Sequence, residues 1–122
     1  MSAALKHLAP ILRTNDLEQT ISFYETILGF KKKTQFPNFV SLRGDHVELM
    51  FIQSADTSEE LKITGNIYIF TEKVDELWEF VKDKAKVISS LADREYLMRD
   101  FSILDNNGYE LVFGEDFSNK KE

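Results

Sequence analysis

Hydrophobic and polar positions in the first part of the chain predict a strand followed by a helix. The apolar run at residues 8–14 fits a strand. Apolar residues then recur at spacings of three and four, which is typical of an amphipathic helix; they are Leu17, Ile21, Tyr24 and Leu28. We expect Asn15 to cap this helix, with Glu18 completing a capping box. Gly29 stands where a helix commonly ends.

Three further strands are predicted after this helix, at residues 30–35, 39–43 and 47–53. Gly44 and Asp45 form a turn signal between the last two of them. Residues 54–64 are rich in Ser, Asp, Thr and Glu, so we interpret them as a polar linker. The first half therefore has the order strand, helix, strand, strand, strand, over about residues 8–53.

The second half, about residues 65–114, repeats this order. A strand at residues 66–70 precedes a helix that Thr71 can cap, and the helix has an apolar face of Val74, Leu77, Trp78 and Val81. Strands are predicted at residues 86–89, 100–104 and 109–113, with a turn signal at residues 105–108. We expect the polar residues 115–122 to be a frayed tail. The chain of 122 residues is thus predicted to be one domain of two modules.

The two halves also match residue by residue. Leu17 corresponds to Val74 at an offset of 57 positions, which also places Thr14 with Thr71. An offset of 62 relates the later strands; it places Phe39 with Phe101, Leu42 with Leu104, Glu48 with Glu110, Leu49 with Leu111 and Phe51 with Phe113. Together with the shared element order, these matches indicate a duplication.

Strand alternation assigns the two faces of each predicted sheet. Leu49 and Phe51 share one face and need an apolar partner, so the helix should cover them. The opposite face carries Glu48 and Met50, and in the second half Tyr68 and Phe70. Mostly apolar walls with a few polar groups are typical of a small-molecule pocket. A dimer interface or a second core layer would produce the same pattern.

Composition narrows the possible partners. The net charge of −6 disfavours nucleic acid and anionic membranes and favours a neutral or cationic partner. The chain has no cysteine, which excludes disulfides and thiolate chemistry and suits the cytoplasm. We find neither a signal peptide nor an apolar run of the roughly 20 residues that a membrane helix needs. The lysines at positions 31–33 are expected to be solvated after the helix end.

Two stretches carry a family resemblance. LAPILRTNDLEQTISFYETILGF and YLMRDFSILDNNGYELVFGE resemble the opening and the closing segments of the vicinal oxygen chelate superfamily of glyoxalases, dioxygenases and bleomycin resistance proteins. The bleomycin resistance branch is the most similar, on Pro10, on Tyr68-Ile69-Phe70 and on Arg99-Asp100-Phe101. The resemblance implies an α+β fold of two βαβββ modules with curved mixed sheets that form a cup. It also implies a homodimer with an exchanged first strand.

The resemblance allows the metal-binding positions of the family to be checked. The matching positions are Ala9, Asn66, Val112 and either Glu48 or Met50. A catalytic divalent ion needs about three ligands with N, O or S donors, and only Glu48 qualifies. His7 and His46, near a terminus and a turn, are more typical of solvated residues. We therefore expect no metal, no cofactor and no catalytic residues.

The function that follows is sequestration of a small aromatic, cationic molecule such as a bleomycin-type antibiotic. The expected ligand-binding residues are Phe39, Glu48, Met50, Tyr68, Phe70, Tyr96, Arg99, Glu110 and Val112. A metal-dependent lyase or dioxygenase using Glu48, with a metal supplied partly by substrate, is the alternative. A binding protein whose natural ligand is unrelated to antibiotics also remains open.

Overall fold

The structure, a computed structural model, describes residues 3–118 and contains eight strands and two helices there. In chain order they are β1 (Ile11–Thr14), α1 (Leu17–Thr26), β2 (Lys31–Phe36), β3 (Phe39–Gly44), β4 (Val47–Gln53), β5 (Ile67–Phe70), α2 (Val74–Val81), β6 (Lys86–Asp93), β7 (Met98–Leu104) and β8 (Glu110–Asp116). The order βαβββ thus occurs twice, as predicted. Neither helix is long and apolar enough to cross a membrane within this described part.

The chain divides into two compact units, Met1–Glu59 and Glu60–Glu122. Each unit has one four-stranded mixed sheet, with strand order β1-β4-β3-β2 in the first and β5-β8-β7-β6 in the second. The first and last strands of each unit run parallel, and the remaining pairs are antiparallel. A helix connects the first two strands of each unit, as a parallel arrangement requires. The α+β fold of two βαβββ modules is therefore confirmed.

One face of each sheet packs against its helix and forms the core. In the first unit the ring of Tyr24 on α1 lies 5.2 Å from that of Phe51 on β4. In the second unit Trp78 on α2 lies 5.1 Å from Phe101, which stacks on Phe113 at 5.5 Å. Burying an aromatic side chain of this size contributes about 1.5–3 kcal/mol. The predicted helix-covered faces are therefore correct.

The start of α1 differs from the prediction by one residue. Asp16 caps the helix, and its side chain accepts a hydrogen bond from the backbone N–H of Gln19 at 3.0 Å. The side chain of Asn15 instead donates to the carbonyl of Glu59. Both residue types suit a cap, but the three-residue reach to an N–H selects Asp16. Gly29 has a φ of +73°, a conformation that glycine adopts without strain, just after the helix ends.

The start of α2 is stabilised by a strand rather than by the predicted cap. Thr71 donates its hydroxyl to the carbonyl of Ile69, and the N-cap residue is Lys73 in a left-handed conformation. The carboxylate of Glu115 on β8 accepts from the N–H of Val74 at 3.1 Å. Gln53, at the matching position of β4, accepts from the N–H of Leu17. A residue at the end of each last strand thus satisfies a helix N–H that would otherwise lack a partner.

The strand register corrects one part of the repeat. Phe51 pairs with Leu12 and Phe113 with Ile69, which supports both the offset of 57 and that of 62. On the third strands, however, Val40 pairs with Phe51 while Phe101 pairs with Phe113, so their offset is 61. The chain from Phe101 to its partner Phe113 is one residue longer than the chain from Val40 to its partner Phe51. Phe39 and Phe101 therefore lie on opposite faces of their sheets.

Several strand ends also differ from the prediction. β1 begins at Ile11 rather than at residue 8, because Pro10 has no N–H for the ladder, although its carbonyl accepts from Met50. β6 runs on to Asp93. β8 includes Glu115 and Asp116, which pair with Arg99 and Met98 and so are not part of a frayed tail. Residues 119–122 of that predicted tail lie outside the described residues.

Candidate functional site

The face of each sheet opposite its helix, which we call the helix-free face, carries most of the predicted site residues. In the first unit Leu49 and Phe51 point to α1, so Glu48 and Met50 lie on the helix-free face. Register then places Ser41, which pairs with Met50, and Phe39 on the same face. Phe36 pairs with Phe39, and their ring centroids are 6.3 Å apart.

Glu48 is a buried carboxylate on this face, with only 5% of its surface exposed. Ser41 donates its hydroxyl to Oε2 of Glu48 at 2.5 Å. Oε1 is buried and receives no hydrogen bond from the described residues. The nearest side-chain nitrogens to Oε1 are Nε2 of His7 at 3.4 Å and Nζ of Lys33 at 3.6 Å.

The residues around Glu48 stabilise its ionised form. The hydrogen bond from Ser41, supported by Lys33 and His7, holds the pKa of Glu48 below its usual range although burial opposes this. The carboxylate is therefore ionised at neutral pH. A buried anion with one oxygen lacking a hydrogen bond is a suitable partner for a ligand N–H group, since buried charges are normally fully hydrogen-bonded.

An irregularity in β2 directs Lys33 towards Glu48. The register between β2 and β3 shifts between Lys32 and Thr34, which is the signature of a β-bulge. Bulges redirect side chains and are common beside functional sites. All three lysines of the run are exposed on β2, in agreement with the expectation of solvation, and Lys33 also reaches a buried carboxylate.

The helix-free face of the second unit is aromatic. Tyr68 pairs with Val112 and Phe70 with Gly114, so all four lie on this face. The rings of Tyr68 and Phe70 are 5.2 Å apart, and 74% of Phe70 is exposed. The hydroxyl of Tyr68 lies against the backbone of Gly114. A Cβ atom added at Gly114 would be only 2.1 Å from the Tyr68 hydroxyl oxygen. Glu110 lies at the start of β8 on the same face.

A second buried carboxylate, Asp100 on β7, organises this aromatic face. Its Oδ2 accepts from the hydroxyls of Tyr68 at 2.8 Å and Tyr96 at 2.7 Å. Its Oδ1 accepts from Nε of Arg94 at 2.8 Å. Burial raises the pKa of Asp100, but the hydrogen bonds from the tyrosines and Arg94 outweigh it and hold the pKa below the usual value.

The pKa values of Tyr68 and Tyr96 shift in the opposite direction, upwards. Burial and the hydrogen bond to Asp100 raise the pKa of Tyr68 well above its usual range. The hydrogen bond to Asp100 is the largest cause of the raised pKa of Tyr96. Both phenols are therefore neutral donors at physiological pH, and Asp100 is an anion.

Arg99 is the one predicted site residue that the structure places elsewhere. Its Nε donates to Asp75 on α2 at 2.7 Å and its Nη1 to Asp93 at 2.9 Å. It therefore lies on the helix side, one residue out of phase with Asp100. Sequence reasoning missed Asp100, Arg94, Ser41 and Lys33. A lone acidic residue beside the buried Phe101 was the available signal for Asp100, because such a residue needs a partner.

The helix-free faces do not offer the donors of a metal site. Ile11 and Met50 face each other in the first unit, and Tyr68 and Val112 do so in the second. Among residues 3–118 there is no group of three or more His, Cys, Asp or Glu that could hold a metal ion. Since a catalytic ion needs about three such ligands, these residues do not fit one.

Two tandem βαβββ units, each with a mixed sheet and one helix, define a paired-module α+β protein. The sequence model of the Glyoxalase/Bleomycin resistance protein/Dioxygenase superfamily matches residues 4–113, and the chain belongs to this superfamily. A search of the curated proteins found no match.

Solved structures share the fold at low sequence identity. TioX from Micromonospora sp. ML1 superposes with a TM-score of 0.77 at 16% identity, covering 90% of this chain and 98% of the other. A bleomycin resistance determinant encoded on the transposon Tn5 gives 0.76 at 16%, covering 92% and 98%. A protein of unknown function from Agrobacterium tumefaciens str. C58 gives 0.76 at 20%, covering 93% and 96%. At these identities the similarity concerns the fold alone.

Proposed function

We propose that this protein binds and sequesters a small molecule that has an aromatic part and a cationic group. The observation that carries the proposal is that the helix-free face of each sheet carries both aromatic side chains and a buried, ionised carboxylate. The superfamily is consistent with this role, and one of the structural neighbours is a bleomycin resistance determinant. A bleomycin-type glycopeptide is therefore the first candidate ligand.

One oxygen of Glu48, Oε1, supports a cationic group in the ligand, because it receives no hydrogen bond from the described residues. His7 and Lys33 approach it without hydrogen bonding, and their side chains are 62% and 46% exposed. Exposed, flexible side chains are displaced at little cost, so a ligand ammonium or amide N–H can take the position beside Oε1. Such a charged hydrogen bond contributes about 1.5–3 kcal/mol.

Aromatic side chains would supply the remaining affinity. Phe36 and Phe39 in the first unit, and Tyr68 and Phe70 in the second, are ring pairs on the helix-free faces. Each well-placed ring contact adds about 0.5–1.5 kcal/mol beyond burial. Met50 adds to the proposed lining of the first face, and Glu110, Val112 and Tyr96 add to that of the second.

The homodimer is also a proposal. Leu5, Leu8 and Ile11 are 94%, 81% and 61% exposed in the N-terminal segment and β1. Exposed apolar side chains of this size favour a protein partner, and a second copy of the chain with an exchanged first strand would cover them.

Isothermal titration with a bleomycin-type glycopeptide tests the binding proposal. We expect saturable binding, weakened about 10- to 100-fold in Glu48→Gln, because the amide keeps the shape but loses the charge. The matched control is Glu25→Gln on the exposed side of α1, which removes the same charge away from the site and should bind as the wild type does.

Absence of binding heat would remove this ligand class. Equal affinities of Glu48→Gln and the wild type would remove Glu48 from the site. Metal analysis of protein purified without chelators distinguishes the enzyme alternative, since a stoichiometric transition metal would contradict a metal-free binding protein.

A further inference from the structure

Two tyrosines from separate elements meet at a single carboxylate oxygen. Tyr68 belongs to β5, and Tyr96 lies in the turn between β6 and β7. Both hydroxyls donate to Oδ2 of Asp100, at 2.8 Å and 2.7 Å. The two rings are therefore tied at their hydroxyl ends to one point, although their backbones belong to different parts of the unit.

The carboxylate itself is held in a fixed orientation. Its other oxygen accepts from Nε of Arg94, and Nη2 of the same guanidinium donates to Ser89 Oγ, to the carbonyl of Ser90 and to the carbonyl of Asp100. Arg94 thus joins β6 to β7 around the acid. With only 3% of its surface exposed, Asp100 has no surface left to offer a ligand.

We propose that Asp100 is a positioning residue that fixes the rings of Tyr68 and Tyr96 as a preformed stacking surface for the aromatic part of the ligand. This inference rests on the proposed function, because it names the feature of the second unit's helix-free face that would bind the aromatic part of the ligand. The ligand class it selects is a flat aromatic group that stacks on the rings. Hydrogen bonding to Asp100 is excluded, since its oxygens already accept three side-chain hydrogen bonds.

Preorganisation explains why a fully buried acid would affect binding. A ligand that stacks on freely rotating tyrosines must immobilise each side chain, at a cost of about 0.5–1.5 kcal/mol per residue. The hydrogen bonds to Asp100 immobilise both tyrosines already when the protein folds, so the ligand does not have to. Tyr68 is restrained further, because it lies against Gly114 and beside Phe70 at 5.2 Å.

The test compares Asp100→Asn with Tyr96→Phe, and uses Asp75→Asn as the matched control. Asp75 lies on α2 in the same unit and pairs with Arg99 on the helix side, so this substitution removes the same charge away from the helix-free face. We expect Asp100→Asn to weaken binding of the bleomycin-type glycopeptide about tenfold, because both rings lose their anchor. Tyr96→Phe releases one ring and should weaken binding about threefold. Asp75→Asn should bind as the wild type does.

A second readout needs no ligand. Tyrosine absorbance in a pH titration, together with near-ultraviolet circular dichroism, reports the environment of the four tyrosines. In Asp100→Asn two of them should titrate at lower pH than in the wild type, because no carboxylate opposes the phenolate, and the dichroism should weaken. Unchanged spectra would overturn the proposal that Asp100 fixes the rings of both tyrosines.

The two readouts separate the two proposals. Changed spectra with unchanged affinity in Asp100→Asn would overturn the positioning role while leaving the binding function intact. If the wild type does not bind the glycopeptide, the proposed function fails with that ligand, and the spectra still decide whether Asp100 fixes both rings.

Discussion

Replacing Phe51 by alanine is expected to lower the free energy of unfolding by about 3–5 kcal/mol. Phe51 has no exposed surface and its ring meets that of Tyr24 on α1. Removing it deletes the ring contact between β4 and the helix of the first unit. The loss includes the transfer of the ring to water and the cavity that remains, since packed cores relax only partly.

The adjacent residue provides the control for this substitution. Ile52 lies on the helix-free face of the same strand and is 43% exposed. Ile52→Ala should therefore cost less than about 1 kcal/mol. Urea unfolding of both variants gives the comparison, and equal losses would contradict the assignment of the two faces of β4.

Replacing Gly114 by alanine is expected to destabilise the second unit by about 1–3 kcal/mol, although the change adds a single methyl group. The new Cβ atom would lie 2.1 Å from the Tyr68 hydroxyl oxygen and 2.7 Å from the ring carbon that bears it. The ring must move away, and its hydrogen bond to Asp100 is then lost. The backbone of Gly114 is paired with β5 on one side and β7 on the other, so it cannot move away from the ring.

A double-mutant cycle isolates this effect. In the Tyr68→Ala background the added methyl meets no ring, so Gly114→Ala should cost less than about 0.5 kcal/mol there. Thermal or urea unfolding of the four proteins measures the coupling. A cost that persists without the ring would show that the strain lies in the backbone and not in the contact with Tyr68.

Strand and helix order was predictable because periodicity reports burial directly. Alternation along β4 identified Leu49 and Phe51 as core and Glu48 and Met50 as the other face, and the predicted bounds of β4 match the structure. The offset of 57 matched Tyr68 with Ile11. The structure places the two residues at equivalent positions, each paired with the last strand of its own unit. These features depend only on the two-residue period of a strand and on the repeat.

Features that depend on loop geometry were not predictable in the same way. One extra residue in the hairpin before β8 shifts the third strand and moves Phe101 to the core. Lys73 and Leu97 adopt left-handed conformations, which sequence reasoning expects mainly at glycine. The second of these belongs to the turn that brings Arg94 and Tyr96 to Asp100. The carboxylate network therefore follows from tertiary structure, whereas the Arg-Asp-Phe segment alone suggested Arg99 as a ligand contact.

The central claim is that a small molecule binds on the helix-free faces. Methyl-detected NMR tests it most directly, by adding a bleomycin-type glycopeptide to protein labelled at Met, Leu and Val methyl groups. Met50 and Val112 lie on the helix-free faces, and their neighbours Leu49 and Leu111 point to the helices. The account predicts saturable shifts at Met50 and Val112 with little change at Leu49 and Leu111. Larger shifts at the two leucines, or no saturable shift at any of the four, would contradict it.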